Sequence, residues 1–266
     1  MSSDYTLAYG THATPAQGRC AMEWVSHLAG EPHSDQPRCV SPVLRAFCMT
    51  LNDALADGPR QRLRPYLART IGTAEDGLDD ARSWIALDWL VRTYAPTWLA
   101  AARLDAPAQS LAALPAVLDA CDLRAAIAAL ARARHAARSA WSAALGGARL
   151  VAWAPWVAGR AAARDAAWSS AGAPAWAAAR VAVGHTSADR ARSAAREIGG
   201  HAAAMLVRAA QPQADRTTEH FALAGTIEQL QQAALVLLDR MLPPATLAAP
   251  VSAGSRGGAE TAAARR

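Results

Sequence analysis

Lysine is absent from this 266-residue chain, so all 27 basic side chains are arginines. Phenylalanine occurs only twice and isoleucine only five times, which leaves few of the aromatic and β-branched residues that favour strands. This shortage argues against a β-sandwich or a β-barrel. Long hydrophobic runs are missing too, because the longest uncharged apolar run, residues 150–159, is far shorter than the roughly 18–20 residues that cross a bilayer. The sequence therefore predicts no transmembrane segment.

Motifs that mark several common enzyme classes are also missing. The chain contains no Cys-x-x-Cys pair and no His-Glu-x-x-His sequence, which are established zinc-binding patterns. The pairs Gly146-Gly147 and Gly199-Gly200 follow predicted helices, so we interpret them as helix breaks rather than phosphate-binding loops. The first twenty residues lack the basic start and apolar core of a secretory signal. We therefore expect a cytoplasmic protein whose four cysteines are reduced.

Alanine dominates the residues that are present, at 71 of 266. Because alanine has the highest helix propensity, the composition predicts an all-α protein. The enrichment is uneven, with 14 alanines in residues 1–100 and 39 in residues 101–200. Nine tryptophans supply the large side chains that fill the spaces between helices rich in small residues. We predict a multi-helix bundle in which an N-terminal helical domain precedes an Ala/Trp/Arg-rich helical bundle.

The positions of glycine and proline predict how the chain is organised. We divide it into an irregular N-terminal segment at residues 1–18 and a helical domain at residues 19–118. The Ala/Trp/Arg-rich bundle follows at residues 119–244, and a disordered tail at residues 245–266. The tail has almost no large apolar side chain, which is typical of disorder. The clearest predicted helices span residues 19–29, 42–56, 81–94, 119–145, 187–198, 201–210 and 218–242, and a further one starts at Pro96.

Two of these helices carry apolar stripes. The stripe of the last helix has heptad-like spacing and consists of Ile227, Leu230, Ala234, Leu238 and Met241. It predicts that this helix packs into the bundle or onto a second copy of itself. In the helix at residues 119–145, Arg134 falls inside the apolar stripe, so we expect its stem to pack there or its guanidinium to meet an acidic residue.

The densest group of reactive side chains lies in residues 20–39. Cys20, Glu23 and His27 share one face if this stretch is helical, because positions i, i+3 and i+7 lie on the same side of a helix. The loop that follows carries three further candidates, namely His33, Asp35 and Cys39. Cysteine, histidine and carboxylate groups are zinc ligands in proteins, so convergence of the helix and the loop would create a metal site.

The cluster predicts a site for zinc or iron whose ligands are Cys20, His33 and Cys39. The other three side chains would be catalytic, and these are Glu23, His27 and Asp35. In this arrangement Glu23 acts as a base on a metal-bound water. Two alternatives stay open: the side chains form a structural polar network, or a cysteine is the nucleophile of a thiol enzyme with a histidine as its base.

Positive charge is concentrated in the middle of the chain. Residues 121–210 carry 12 arginines and 4 acidic residues, a net +8, whereas residues 1–120 carry a net −3. Such an excess suits an acidic partner such as nucleic acid, and interleaved tryptophans would suit base stacking. The arginines assigned to phosphate contacts are Arg124, Arg132, Arg134 and Arg138. The alternative is that arginine keeps the alanine-rich helices soluble.

Two stretches carry a resemblance to a protein family. They are the run from Cys20 to Asp35, continued by Pro37, Cys39, Pro42 and Asn52-Asp53, and the run Asp88-Trp-Leu-Val-Arg92 followed by Pro96-Thr-Trp-Leu99. Together with the Trp–Ala–Ala segment, they resemble Ala/Trp-rich proteins of actinobacteria and their phages, a family without an established activity. The resemblance covers most of residues 5–240 and is tightest over residues 17–53. It implies an actinobacterial or phage source, with function in the N-terminal motif and the Ala/Trp part as a scaffold.

Three hypotheses for function follow. The leading one is a non-enzymatic helical interaction or scaffold protein, because no catalytic motif is complete and long amphipathic helices suit a protein partner or self-association. The runner-up is a metal-dependent enzyme built on the cluster in residues 20–39. The third is an accessory nucleic-acid-binding protein that uses residues 121–210.

Overall fold

The computed structural model describes residues 5–146, 161–183, 185–210 and 216–243, so the predicted tail lies outside the described residues. Helices make up most of this part, which contains no β-strand and confirms the all-α prediction. The α-helices are α1 (Ala21–Leu28), α2 (Pro42–Ala54), α3 (Asp57–Arg60), α4 (Arg64–Leu67), α5 (Asp79–Trp89), α6 (Ala95–Ala101), α7 (Asp105–Ala112), α8 (Ala120–Gly146), α9 (161–167), α10 (Ala173–Ala179), α11 (His185–Ala210) and α12 (Arg216–Met241). None of the described helices combines the length and the apolarity that a bilayer-crossing segment requires.

Several helix ends follow from local chemistry. The side chain of Ser41 accepts hydrogen bonds from the backbone N–H groups of Val43 and Leu44, and Pro42 occupies the first turn of α2, as predicted. Gly30 follows α1 with a φ of +72°, a conformation that glycine adopts without strain. Helix α1 begins two residues later than predicted, at Ala21, because Cys20 is extended and serves as its N-cap.

Two helices of the bundle each contain one wide π-helical turn. Residues Leu90–Tyr94 join α5 to α6, and residues Trp168–Gly172 join α9 to α10. The sequence predicted separate helices on either side of Pro96, whereas the chain stays helical through this point. Pro96 and Pro174 each lie in the first helical turn that follows a π-turn. Proline has no backbone N–H to donate, and in both places the helix continues past it.

The glycine pair at 199 and 200 does not break a helix, so that prediction was wrong. Helix α11 runs through both residues. A Cβ atom at Gly199 would lie 2.5 Å from Oη of the buried Tyr94, and one at Gly200 would lie 2.8 Å from Cγ of Arg164. The glycines therefore allow neighbouring side chains to approach the backbone of α11, at a helix-propensity cost of about 1 kcal/mol each.

One cluster of buried side chains extends from Leu7 to Leu242. Helix α10 packs on α2 and α5, while α11 packs on α8, α6 and α12. The two predicted domains therefore share this core, and a boundary near residue 118 stays a prediction. Of the tryptophans, Trp89, Trp98 and Trp141 are buried, as expected for side chains that fill spaces between small-residue helices.

The apolar stripe of the last helix faces the core, with Ile227 half-buried at its start. Leu230, Ala234, Leu238 and Met241 are buried, so the last helix packs into the bundle, which was one of the two predicted alternatives. In α8 the guanidinium of Arg134 meets an acidic residue, with Nη1 lying 3.6 Å from Oε1 of Glu197 on α11.

Candidate functional site

A buried polar network surrounds Glu23 in the first turn of α1. Its Oε2 lies 2.8 Å from Nδ1 of His12, and its Oε1 accepts a hydrogen bond of 2.6 Å from the backbone N–H of the same residue. The side chain of Glu23 is only 1% exposed. Because a carboxylate only accepts hydrogen bonds, Nδ1 of His12 is the donor in this contact.

The carboxylate of Glu23 accepts a third hydrogen bond. Oε2 also accepts a hydrogen bond of 2.8 Å from the backbone N–H of Cys20, as a glutamate at this position of a capping box does. Burial alone would raise the pKa of Glu23. This effect is outweighed by the hydrogen bonds that the carboxylate accepts from the backbone of His12 and Cys20 and from the imidazole of His12. The pKa of Glu23 therefore lies below its ordinary value of 4.5, and the buried group is ionised at neutral pH.

His33 reaches the same place from the loop after α1. Its Nε2 donates to the backbone carbonyl of His12 at 2.9 Å and lies 3.9 Å from Oε1 of Glu23. The hydroxyl of Ser26 donates to the carbonyl of Ser34 at 2.6 Å, which ties this loop to α1. The loop therefore brings His33 back past the helix, as the sequence predicted.

Gly18 is required by the position of the His12 ring. Its φ is +130°, and a Cβ atom at this residue would lie 2.9 Å from Nε2 of His12. The pair His12–Glu23 has the geometry by which a carboxylate orients an imidazole base. However, the side chain of His12 is only 12% exposed, and its Nε2 lies close to Gly18.

Other side chains hold the same N-terminal segment through its backbone. Gln61 accepts from the N–H of Leu7 and donates to its carbonyl, at 2.9 and 3.0 Å. Asn52 donates to the carbonyl of Ala8 and accepts from the N–H of Ala21. Together with Glu23, these contacts fix an extended segment on α1 and α2, which supports the structural-network alternative for the cluster.

The six residues predicted to form one site do not come together. Cys20, Glu23 and His33 lie in the network around His12, whereas the others are placed elsewhere. The backbone N–H of Cys39 donates a hydrogen bond of 2.9 Å to Glu31. His27 is exposed, and its ring lies against that of Trp24. Asp35 forms no ion pair with any described residue.

The predicted metal ligands are consequently divided between two places. Cys20 and His33 belong to the network around Glu23, and Cys39 belongs to the loop closed by Glu31. Within the described ranges, no group of three or more histidine, cysteine, aspartate or glutamate side chains is arranged to hold a metal ion.

Three of the four cysteines are poor nucleophiles. Burial raises the pKa of Cys20 and of Cys48 to about 12, and burial together with the Glu31 carboxylate raises that of Cys39 to about 11. Reactive cysteines have a lowered pKa, because the thiolate is the attacking species. These values argue against the thiol-enzyme alternative, in which Cys20 or Cys39 was the nucleophile.

The arginines predicted to contact phosphate differ in their contacts within the fold. Arg124, Arg132 and Arg138 are exposed, whereas Arg134 faces α11 and pairs with Glu197. Three of the four predicted side chains therefore have no acidic partner among the described residues, whereas Arg134 has one.

A second candidate site is an open groove between α6, α7 and α12, with a volume of about 720 Å³. Its lining comprises Arg92, Thr93, Pro96, Thr97, Ala100, Ala101, Ala108, Gln109, Ala112, Ala222, Gly225, Thr226 and Gln229. Arg92 is the one ionisable residue among these described side chains. Its Nε lies 2.8 Å from Oδ1 of the buried Asp88, and its Nη1 donates to the carbonyl of Leu114 at 2.6 Å.

Neither His12 nor this groove could be recognised as a candidate site from the sequence. His12 lies in a segment predicted to be irregular, and nothing in its local sequence indicates a buried carboxylate partner. The groove is lined mainly by alanine, threonine and glutamine, which form no recognisable motif.

Comparison with protein-family models, with curated proteins and with solved structures finds no match for this chain. The resemblance to Ala/Trp-rich proteins of actinobacteria and their phages therefore stays a prediction. Function has to be inferred from the arrangement of the side chains.

Proposed function

We propose that this protein is a non-enzymatic helical interaction protein that binds a polypeptide segment of a partner in the groove between α6, α7 and α12. The groove is the observation that carries this proposal. Its volume of about 720 Å³ falls within the range of roughly 300–1,000 Å³ that is typical of ligand sites.

The lining of the groove suits a polypeptide. Small residues such as Ala101, Ala108 and Gly225 let the backbone of a bound segment approach closely. Polar side chains such as Gln109 and Gln229 both donate and accept hydrogen bonds, which matches the alternating N–H and C=O groups of a peptide. We therefore expect a ligand that is polar and largely uncharged.

The protonation states of the candidate reactive groups favour binding over catalysis. The ionisable group in the groove is an arginine, which stays protonated and therefore cannot act as a general base. The Glu23 carboxylate is engaged by three donors from its own chain, and Cys20, Cys39 and Cys48 are protonated at neutral pH. The same proposal places the protein in the cytoplasm, which agrees with its four free cysteines.

Substitution of Gly225 by tryptophan tests the groove directly. A Cβ atom at Gly225 meets no other atom within 4 Å, so the indole enters open space without straining the helix. Peptides would be selected from a random phage-displayed library on the full chain, and their affinities measured by fluorescence anisotropy. We expect Gly225→Trp to weaken binding by about tenfold or more, equivalent to about 1.4 kcal/mol.

Gln232→Trp is the matched control. Gln232 is exposed on the same helix two turns away and does not line the groove, so this variant should bind the peptides as the wild type does. Equal affinity of all three proteins, or failure to enrich any peptide, would contradict the proposal. Stoichiometric zinc or iron in the purified protein, lost in Cys20→Ala, would instead support the metal-dependent enzyme.

A further inference from the structure

Helix α8 lies at the edge of the bundle and presents one long face outward. It has 27 residues, which corresponds to a length of about 40 Å. Leu123, Leu130 and Ala137 are buried on the side that packs on α7 and α11. The opposite side is exposed over most of the length of the helix.

This outer face of α8 combines arginine with small side chains. Its exposed residues are Arg124, Ala125, Ala128, Ala131, Arg132, His135, Arg138, Ser139, Ser142 and Ala143. On a helical wheel, the arginines and the histidine fall within an arc of about 120°. The face therefore forms a stripe that carries basic side chains and no acidic one.

The three arginines of this stripe are available to a ligand. The described part of the chain supplies Arg134 with an acidic partner, Glu197, but supplies none to Arg124, Arg132 or Arg138. Arg124 instead contacts the sulfur of Cys121 at 2.9 Å.

The acidic residues at the start of α8 cap the helix and form no ion pair with the arginines of the stripe. Asp119 accepts from the backbone N–H groups of Cys121 and Asp122, and Asp122 accepts from that of Leu118. Both carboxylates thus lie at the first turn, near the positive end of the helix dipole.

We propose that the outer face of α8 binds the phosphodiester backbone of a nucleic-acid duplex. The three guanidinium groups are distributed along one side of the helix, and arginine pairs with phosphate through two parallel hydrogen bonds. The alanines between the arginines let a broad backbone approach closely. The stripe lacks the tryptophan, phenylalanine or leucine that an interfacial helix inserts into lipid, so its chemistry favours nucleic acid over a membrane surface.

Contacts to phosphate position a protein without reading sequence, so binding should not depend on base order. It should depend strongly on salt. Three phosphate contacts give a slope of about −2.7 in a plot of log K against log salt, which is an affinity loss of about 40-fold between roughly 50 and 200 mM salt.

The test uses the full chain and two fluorescently labelled duplexes of arbitrary sequence, one of DNA and one of RNA. The variant Arg124→Gln/Arg132→Gln/Arg138→Gln removes the stripe. A control variant removes the same charge at exposed arginines elsewhere, with the substitutions Arg62→Gln, Arg180→Gln and Arg240→Gln. Circular dichroism melting of all three proteins confirms that each is folded.

We expect both duplexes to bind the wild type and the control variant alike, and the stripe variant to bind at least about tenfold more weakly with a flatter salt dependence. Equal loss in the control variant would overturn the proposal, because the effect would then come from net charge. Binding of only one duplex would overturn it as well, since the phosphodiester backbone is common to both. Binding to phosphatidylserine vesicles with no duplex binding would show a membrane surface instead.

Discussion

The carboxylate of Glu23 holds His12, eleven residues earlier in the chain, by both its backbone N–H and its ring Nδ1, at 2.6 and 2.8 Å. This relationship joins an extended N-terminal segment to the first turn of α1. Because Glu23 is buried and charged, the network contributes to stability only while all of its donors are in place.

Replacement of Glu23 by glutamine should destabilise the protein. The amide keeps one oxygen but turns an NH₂ group toward a donor, so at least one charge-assisted hydrogen bond is lost and a buried donor is left without a partner. We expect the free energy of unfolding to fall by about 2–3 kcal/mol, measured by urea denaturation. Glu228→Gln, at an exposed site on α12, should change it by less than about 0.5 kcal/mol. Equal effects of the two substitutions would contradict this account of the network.

The contribution of Glu23 should depend on pH. Its pKa in the folded protein lies below the ordinary value of 4.5, so its stabilising effect is complete above that pH and is lost as the pH falls through the folded pKa. The difference in unfolding free energy between wild type and Glu23→Gln should therefore be constant near neutral pH and shrink under acid conditions. Urea denaturation at a series of pH values measures it. A difference that grows with acidification would contradict the assigned direction of the pKa shift.

Two helical glycines should respond oppositely to alanine. Gly199→Ala places a Cβ atom 2.5 Å from Oη of Tyr94, which is fully buried and cannot move aside, so we expect a loss of about 1–3 kcal/mol. Gly225→Ala meets nothing within 4 Å and should stabilise α12 by about 0.5–1 kcal/mol. Thermal denaturation monitored by circular dichroism measures both changes. Stabilisation by Gly199→Ala would show that the close approach of Tyr94 is not a packing requirement.

Thiol reactivity should distinguish one cysteine from the other three. Cys121 is exposed, whereas the raised pKa values of Cys20, Cys39 and Cys48 keep those thiols protonated at neutral pH. Titration of the native protein with Ellman's reagent should therefore give one fast equivalent and three that react only after unfolding. Cys121→Ser should remove the fast phase. Two or more fast equivalents in the native protein would contradict the low reactivity assigned to the remaining thiols.

Features that depend on neighbouring residues could be predicted from the sequence. The start of α2 could be predicted because the capping hydroxyl of Ser41 and the fixed φ of Pro42 are local properties. The end of α1 could be predicted because Gly30 adopts a left-handed φ without strain. The all-α fold and the burial of the α12 stripe follow from composition and periodicity in the same way.

Features that depend on the path of the chain in space could not be predicted. The pair of glycines at 199 and 200 has the same local signature as a helix break, and only the approach of Tyr94 shows that it serves packing. Likewise, the helical spacing of Cys20, Glu23 and His27 did not indicate that the partner of Glu23 would be His12, which reaches it from an extended segment. The groove forms only where α12 packs beside α6 and α7, about a hundred residues earlier in the chain, so no single stretch encodes it.

The contact made by a bound peptide tests the central claim most directly. A photoreactive benzophenone residue would replace Thr226, which lines the groove, or Gln232, which lies outside it on the same helix. The protein would be illuminated in the presence of a selected peptide, and the joined fragments identified by mass spectrometry. We predict cross-links to the peptide from position 226 and none from position 232. A bound peptide that cross-links from position 232, or fails to cross-link from position 226, would contradict the assignment of the groove as the partner-binding site.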